Sequence, residues 1–258
     1  MGTVLFESPI FGPIKSRRLG ISLGVNLLPA TGKLCSFNCL YCECGLNEER
    51  NPKGGKIPTR EQVRQKLEER LARMKNDNEH LDVITFAGNG EPTLHPDFSD
   101  IIDDVISIKN KYYPSVKISV LTNAAHVDRK TVFEGLSKVD NNILKLDSAV
   151  ESTFKIINNA NSTVNFANIV PSISQFESGA IVQTLFCRGS YNGVAFDNTT
   201  EEEVAALLDA YKQIKPDKIM IYSISRDTPV QSIFAAERAE LEQIAALLRK
   251  NDFKVEIA

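Results

Sequence analysis

The chain is poor in cysteine, with five in 258 residues. No basic leader followed by a long apolar run opens it, as Met1-Gly2-Thr3-Val4-Leu5-Phe6-Glu7 makes plain. A small secreted scaffold stapled by disulfides is therefore excluded. Histidine is also scarce: His80, His95 and His126 stand apart, and no chemistry is assigned to them. No stretch approaches the roughly 20 apolar residues of a membrane span. Basic charge is not in excess. The net charge is −3, so no global field draws in nucleic acid. Long linkers and low-complexity tracts are missing too. These absences leave one domain over residues 1–258, expected in the cytoplasm and with no membrane partner. Its apolar content of 42% can supply a sizeable core.

Three of the five cysteines lie in one run, Cys35-Ser36-Phe37-Asn38-Cys39-Leu40-Tyr41-Cys42. The spacing is C-x3-C-x2-C. Three thiolates held this closely can bind three irons of a four-iron cluster and leave the fourth iron open to a ligand. Other readings are ordinary buried thiols, a disulfide, or part of a zinc site with Cys44 as fourth ligand. Structural zinc favours two C-x2-C knuckles, and no second knuckle follows.

The spacing, with aromatic Tyr41 before the last cysteine, resembles the radical S-adenosylmethionine (SAM) superfamily. The resemblance implies a [4Fe-4S] cluster on Cys35, Cys39 and Cys42, with SAM on the open iron. It also implies an external one-electron reductant, which drives SAM cleavage to a 5′-deoxyadenosyl radical. A second segment agrees. Leu81-Asp82-Val83-Ile84-Thr85-Phe86 reads as a buried strand and runs into Ala87-Gly88-Asn89-Gly90-Glu91-Pro92-Thr93. It resembles the family's Gly-Gly-Glu-Pro motif for the methionyl amine of SAM, with Asn89 in place of the first glycine.

Strand and helix alternate along the rest. Strands are expected at 21–28, 81–86, 116–121, 143–147, 180–186 and 218–224, with a short closing strand at 253–257. Thr59 with Gln62, and Thr200 with Glu203, read as capping boxes opening helices. Six strand–helix units argue a parallel sheet with helices outside. With the cysteine loop they resemble the family's partial (β/α)6 TIM-like barrel, a doubly wound open sheet being the other α/β choice. In a barrel the chemistry sits at the C-terminal strand ends. Those ends are polar here. By resemblance, Tyr41, Asn89, Gly90, Glu91, Thr122, Asn123, Ser148 and Gln183 form the SAM-contacting set.

Further residues are candidates for the substrate: Arg17 and Arg18 in the one compact basic patch, Lys145, Asp147, Tyr222 and Arg226. Their mixed charge suggests a polar or anionic substrate, whether small molecule, peptide or RNA base. Lys145 and Asp147 share a strand face and equally suit a structural ion pair. Cys187 reads as a small buried residue, with a hydrogen-atom donor as the alternative. Ser16-Arg17-Arg18-Leu19-Gly20-Ile21-Ser22-Leu23-Gly24-Val25-Asn26 and Gly90-Glu91-Pro92-Thr93-Leu94 resemble the branch containing the tRNA wyosine-base synthases. No cysteine precedes Cys35, so the second cluster of that branch is not expected. The activators of glycyl-radical proteins are also similar. A different class, an iron–sulfur or zinc protein without catalysis, stays open at this point.

Overall fold

The computed structural model describes residues 4–16, 18–47 and 55–258. Arg17 lies outside the described residues. Strand β1 (Ile10–Ser16) forms an antiparallel hairpin with β2 (Gly20–Val25). From β2 the chain builds parallel strands β3 (Val83–Phe86), β4 (Lys117–Thr122), β5 (Asn141–Lys145), β6 (Ala180–Tyr191), β8 (Lys218–Ser223) and β10 (Val255–Ile257). The spatial order is β1-β2-β3-β4-β5-β6-β8-β10, open between its two ends. This is a partial TIM-like barrel. Two short strands, β7 (Val194–Asp197) and β9 (Ile233–Ala235), pair antiparallel with the outer half of β6.

Helices α1 (Arg60–Asn76), α2 (Phe98–Tyr112), α3 (Lys130–Leu136), α4 (Glu151–Asn158), α5 (Phe166–Ile173), α6 (Glu201–Ile214) and α7 (Arg238–Lys250) provide the crossovers. Their apolar stripes explain this. Val63, Leu67, Leu71 and Met74 of α1 recur at helical spacing and are buried, as are Leu241, Ile244, Ala245 and Leu248 of α7. Both faces of the sheet are covered, so β3 reads Val-Ile-Thr-Phe with every residue buried. Thr59 caps α1 through the full box with Gln62. The box at Thr200 is only half formed. Thr200 accepts from Glu203 N–H at 3.4 Å, but the Glu203 carboxylate turns inward to the Ser148 hydroxyl at 2.7 Å.

The first strand is shorter than expected, ending at Val25, because the chain then turns over the barrel mouth. The hairpin ahead of it was not anticipated, and it shapes the interior. Phe11 stacks on Phe6 with ring centroids 4.4 Å apart. Its ring fills the space above Gly24, where a Cβ would stand 2.1 Å from a ring carbon. Leu19, Leu121, Ile143, Ile181 and Met220 close the floor as a small apolar cluster. Between floor and mouth lies a cavity of about 200 Å³ lined partly by Ser22, Thr85 and Gln183.

Replacing Gly24 by Ala will force Phe11 aside and destabilise the fold by about 1–3 kcal/mol. Urea denaturation will show a smaller cost for the same change in a Phe11→Ala background, where the ring is gone. Equal costs in the two backgrounds would contradict this packing.

Candidate active site

After β2 the chain crosses the C-terminal ends of the strands and forms the cysteine loop. Two neighbours fasten it. Leu34 pairs with the β3 end: its N–H donates to Asn89 O at 2.9 Å, and Glu91 N–H donates to Leu34 O at 3.0 Å. Gly90 makes this possible. At φ +134°, a Cβ there would lie 1.9 Å from Leu34 O. On the other side, Asn38 and Leu40 N–H donate to Asn158 and Ile157 carbonyls at 2.9 and 3.0 Å. Those carbonyls end α4 and have no intrahelical partner, so the cysteine loop acts as the cap of α4.

Cys35, Cys39, Cys42 and Cys44 are all free thiols on this loop. Asn123 Nδ2 bonds Ser36 Oγ at 2.9 Å and reaches Cys35 Sγ at 3.6 Å. Cys39 Sγ donates to Asn158 Oδ1 at 3.7 Å, and Asn158 Nδ2 is buried without a partner. Cys44 donates to Gly88 O at 3.4 Å. Lys33 is the residue that sequence reasoning missed. It is 2% exposed, donates to Gly45 O at 2.9 Å, and touches Cys42. Among the described residues it pairs with no carboxylate. Burial alone would lower its ammonium pKa. The neighbouring sulfurs of Cys42, Cys39 and Cys35 outweigh burial and hold it above the ordinary value. A hydrogen bond from Cys44, then Lys33, brings the Cys42 thiol down to about 6, against the effect of burial. Burial pushes Cys39 up to about 11 and raises Cys35 further. Only its position two residues before Cys35 could have flagged Lys33. No periodicity marks it.

The residues expected to contact SAM divide in two. Glu91 is 1% exposed and accepts four hydrogen bonds, from Thr93 N and Oγ1, Thr122 Oγ1 and Asn123 N, at 2.6–3.0 Å. Burial raises its carboxyl pKa while these donors pull the other way. The Asn89 side chain is spent on the N-terminal segment. It accepts from Phe6 N at 2.8 Å and donates to Phe6 O and Pro29 O at 2.9 and 2.8 Å. Ser148 is fully enclosed behind β5 and serves Glu203 and the Val150 N–H, at 2.7 and 2.9 Å. Ser148, expected at the cofactor, thus has its hydroxyl engaged within the protein by Glu203 and Val150. Asn89, Glu91, Thr122 and Ser148 support the strand ends from behind. Asn123, Gly90, Tyr41 and Gln183 face the loop or the barrel interior.

Lys145, Asp147 and Tyr41 form one buried knot: the Lys145 ammonium bonds both the Tyr41 hydroxyl and the Asp147 carboxylate, and also lies 4.5 Å from the Tyr41 ring centre. Asp147 Oδ1 accepts from Leu185 N at 3.1 Å. Burial would lower Lys145, but Asp147 holds its ammonium well above the ordinary value. This is the structural ion pair, extended to fasten Tyr41 between the last two cysteines of the motif. Arg226 is exposed and pairs with Glu43 at 2.5 Å across the mouth. Cys187 is buried with Leu40, Leu185, Phe196 and Ile233, and burial raises its thiol pKa. Beneath Tyr41 and Cys42 lies a mouth cavity of about 290 Å³, also lined by Gly88, Leu185, Tyr222 and Arg226.

Residues 30–170 match the model of the Radical SAM superfamily. The chain belongs to the radical SAM superfamily. It is 31% identical over 229 residues to a UPF0026 protein of Synechocystis sp., covering 86% of this chain and 77% of that protein. It is also 29% identical over 246 residues to a protein named GTPase Obg from Brachyspira hyodysenteriae, covering 94% of this chain. The chain spans only 34% of that relative and 63% of a UPF0026 protein of Methanocaldococcus jannaschii. Among solved structures, Streptococcus suis SuiB bound to S-adenosylmethionine superposes with a TM-score of 0.62 at 18% identity, covering 88% of this chain and 48% of SuiB. TYW1 with a lysine-pyruvate adduct superposes at 0.61 and 16% identity, covering 89% of this chain and 73% of TYW1. These superpositions establish the shared fold.

Radical SAM proteins use a [4Fe-4S] cluster and SAM. The donor set here suits such a cluster. Three soft sulfurs sit on one loop, beside the Lys33 ammonium and the Asn123 amide N–H. A cation and N–H donors around sulfur stabilise an electron-rich cluster. No helix among the described residues is long and apolar enough to cross a membrane.

Cys35→Ala, Cys39→Ala and Cys42→Ala will each lose the four-iron cluster, while Cys44→Ala and Cys187→Ala will keep it. Iron and sulfide assays after anaerobic reconstitution will show this, and full cluster content in Cys39→Ala would contradict it. Lys33→Met will destabilise the cluster-free protein, since the Cys42, Cys39 and Cys35 sulfurs favour the ammonium that the change removes. The same variant will retain less iron. An unchanged or more stable cluster-free Lys33→Met protein in urea melts would refute the pairing of Lys33 with the loop sulfurs.

Proposed function

We propose that the chain is a radical SAM enzyme acting on a polar substrate held in the barrel. The observation that carries the reading is the cysteine loop. Three free thiols are fastened over the parallel strand ends by Gly90 on one side and α4 on the other. Cys35, Cys39 and Cys42 would hold the cluster with SAM beside it, and with an external one-electron reductant the pair would supply a 5′-deoxyadenosyl radical for hydrogen abstraction from the substrate.

The chain's own residues set the stage for that step. Glu91 fixes the ends of β3 and β4, and so holds Asn123 against Cys35. Glycines at 88 and 90, both at positive φ, let the main chain approach a ligand closely. Tyr41, locked by Lys145 and Asp147, presents a rigid ring to the mouth cavity. Tyr222 and Gln183 line the route from mouth to interior. The Arg226–Glu43 pair lies at the opening, with Arg226 exposed and within reach of an entering substrate.

Reconstituted protein treated with a strong reductant will convert SAM to 5′-deoxyadenosine and methionine, slowly when no substrate is added. Chromatography of the quenched reaction will detect both products. The Cys39→Ala protein will form neither. A fully loaded, reduced protein that yields no deoxyadenosine would defeat the enzymatic reading and favour a cluster-binding protein without catalysis.

A further inference from the structure

Among the described residues, one charge lining the barrel has no carboxylate partner. Arg18 leaves the turn between β1 and β2 at the barrel base, beside Lys117 and Lys218. From there it also lines the interior cavity and the mouth cavity. Its guanidinium carbon stands 4.9 Å from the centre of the Tyr222 ring. Its Nη1 is fully enclosed and has no hydrogen-bond partner. Among the described residues no carboxylate pairs with it. Asp82, the acid at the base, already accepts from Ile21 N at 2.7 Å and contacts His80 at 2.8 Å. Stacking on Tyr222 satisfies the face of the guanidinium but not its N–H edge. A charged donor enclosed without an acceptor is costly, so a ligand that supplies one would be bound strongly.

We propose that the interior cavity is a carboxylate site, with Arg18 as the counter-ion. The proposal rests on the radical SAM reading, since it names the acid group of that enzyme's substrate. The planar fork of a guanidinium matches a carboxylate edge. Among the described residues that line the cavity, Arg18 is the one cation. One cation suits a single negative charge better than the nearly doubled charge of a phosphate. Leu121, Ile143 and Met220 supply apolar walls for a short carbon chain, and Ser22, Thr85 and Gln183 add polar edges. Phe6, Arg18 and Ala87 line both cavities. An acid anchored on Arg18 therefore leaves the rest of the molecule pointing to the mouth, where Cys42 lies.

The test is binding of butyrate to the cluster-loaded protein, followed by saturation-transfer NMR. Butyramide serves as the neutral analogue and inorganic phosphate as the alternative anion. Butyrate will bind, butyramide will not, and Arg18→Gln will weaken butyrate by at least about tenfold, as loss of a charge-assisted hydrogen bond implies. Arg18→Lys will restore part of the affinity, which separates lost charge from a lost fold. Equal butyrate binding by wild type and Arg18→Gln, or no binding to wild type, overturns the site. Phosphate outcompeting butyrate overturns the carboxylate assignment. Displacement of butyrate by SAM would assign Arg18 to the carboxylate of SAM and overturn it too. Deoxyadenosine formation by wild type is scored separately, so failure of the radical reading is not confused with failure of this site.

Discussion

Glu91 accepts four hydrogen bonds at 1% exposure, and the geometry of the cysteine loop descends from them. The bond from Asn123 N places the Asn123 amide, and that amide holds Ser36 and Cys35. The bond from Thr122 Oγ1 locks the end of β4 against the end of β3. Glu91 N–H in turn grips Leu34, at the start of the loop. A buried carboxylate with this many donors is tolerable because each is short and directed, and leaving one unmade would cost about 1–3 kcal/mol. The site is thus rigid before any ligand arrives, which is what a reactive centre needs.

Much of the architecture was legible in the sequence because it is written in short-range pattern. The parallel strands are near-continuous apolar runs, the helices have period-3.6 stripes, and Thr59 with Gln62 announces α1. The three cysteines declare themselves by spacing alone. The Lys145–Asp147 pair followed from strand alternation, although β5 stops at Lys145 and Asp147 lies just beyond it.

What escaped the sequence depends on partners far apart in the chain. The β1 hairpin is defined by Phe11 against Gly24, and neither residue advertises the other. Glu203 fits a capping box by position, yet a distant hydroxyl 55 residues away offers it a buried bond that the box cannot match. Lys33 looks like a surface lysine until the loop folds over it. The strand expected to stop at Phe186 runs on to Tyr191, because β7 and β9 pair with its outer half.

The hairpin carries a consequence for how such a molecule diversifies. The superfamily match begins at residue 30, after β1, β2 and Arg18. The cysteine loop and one wall of the chamber, that of the hairpin, thus come from separate stretches of the chain, while Thr85, Leu121, Ile143, Gln183 and Met220 line the rest. Substitutions before residue 30 can reshape the chamber from within while the cysteine loop keeps its moorings on Gly90 and α4.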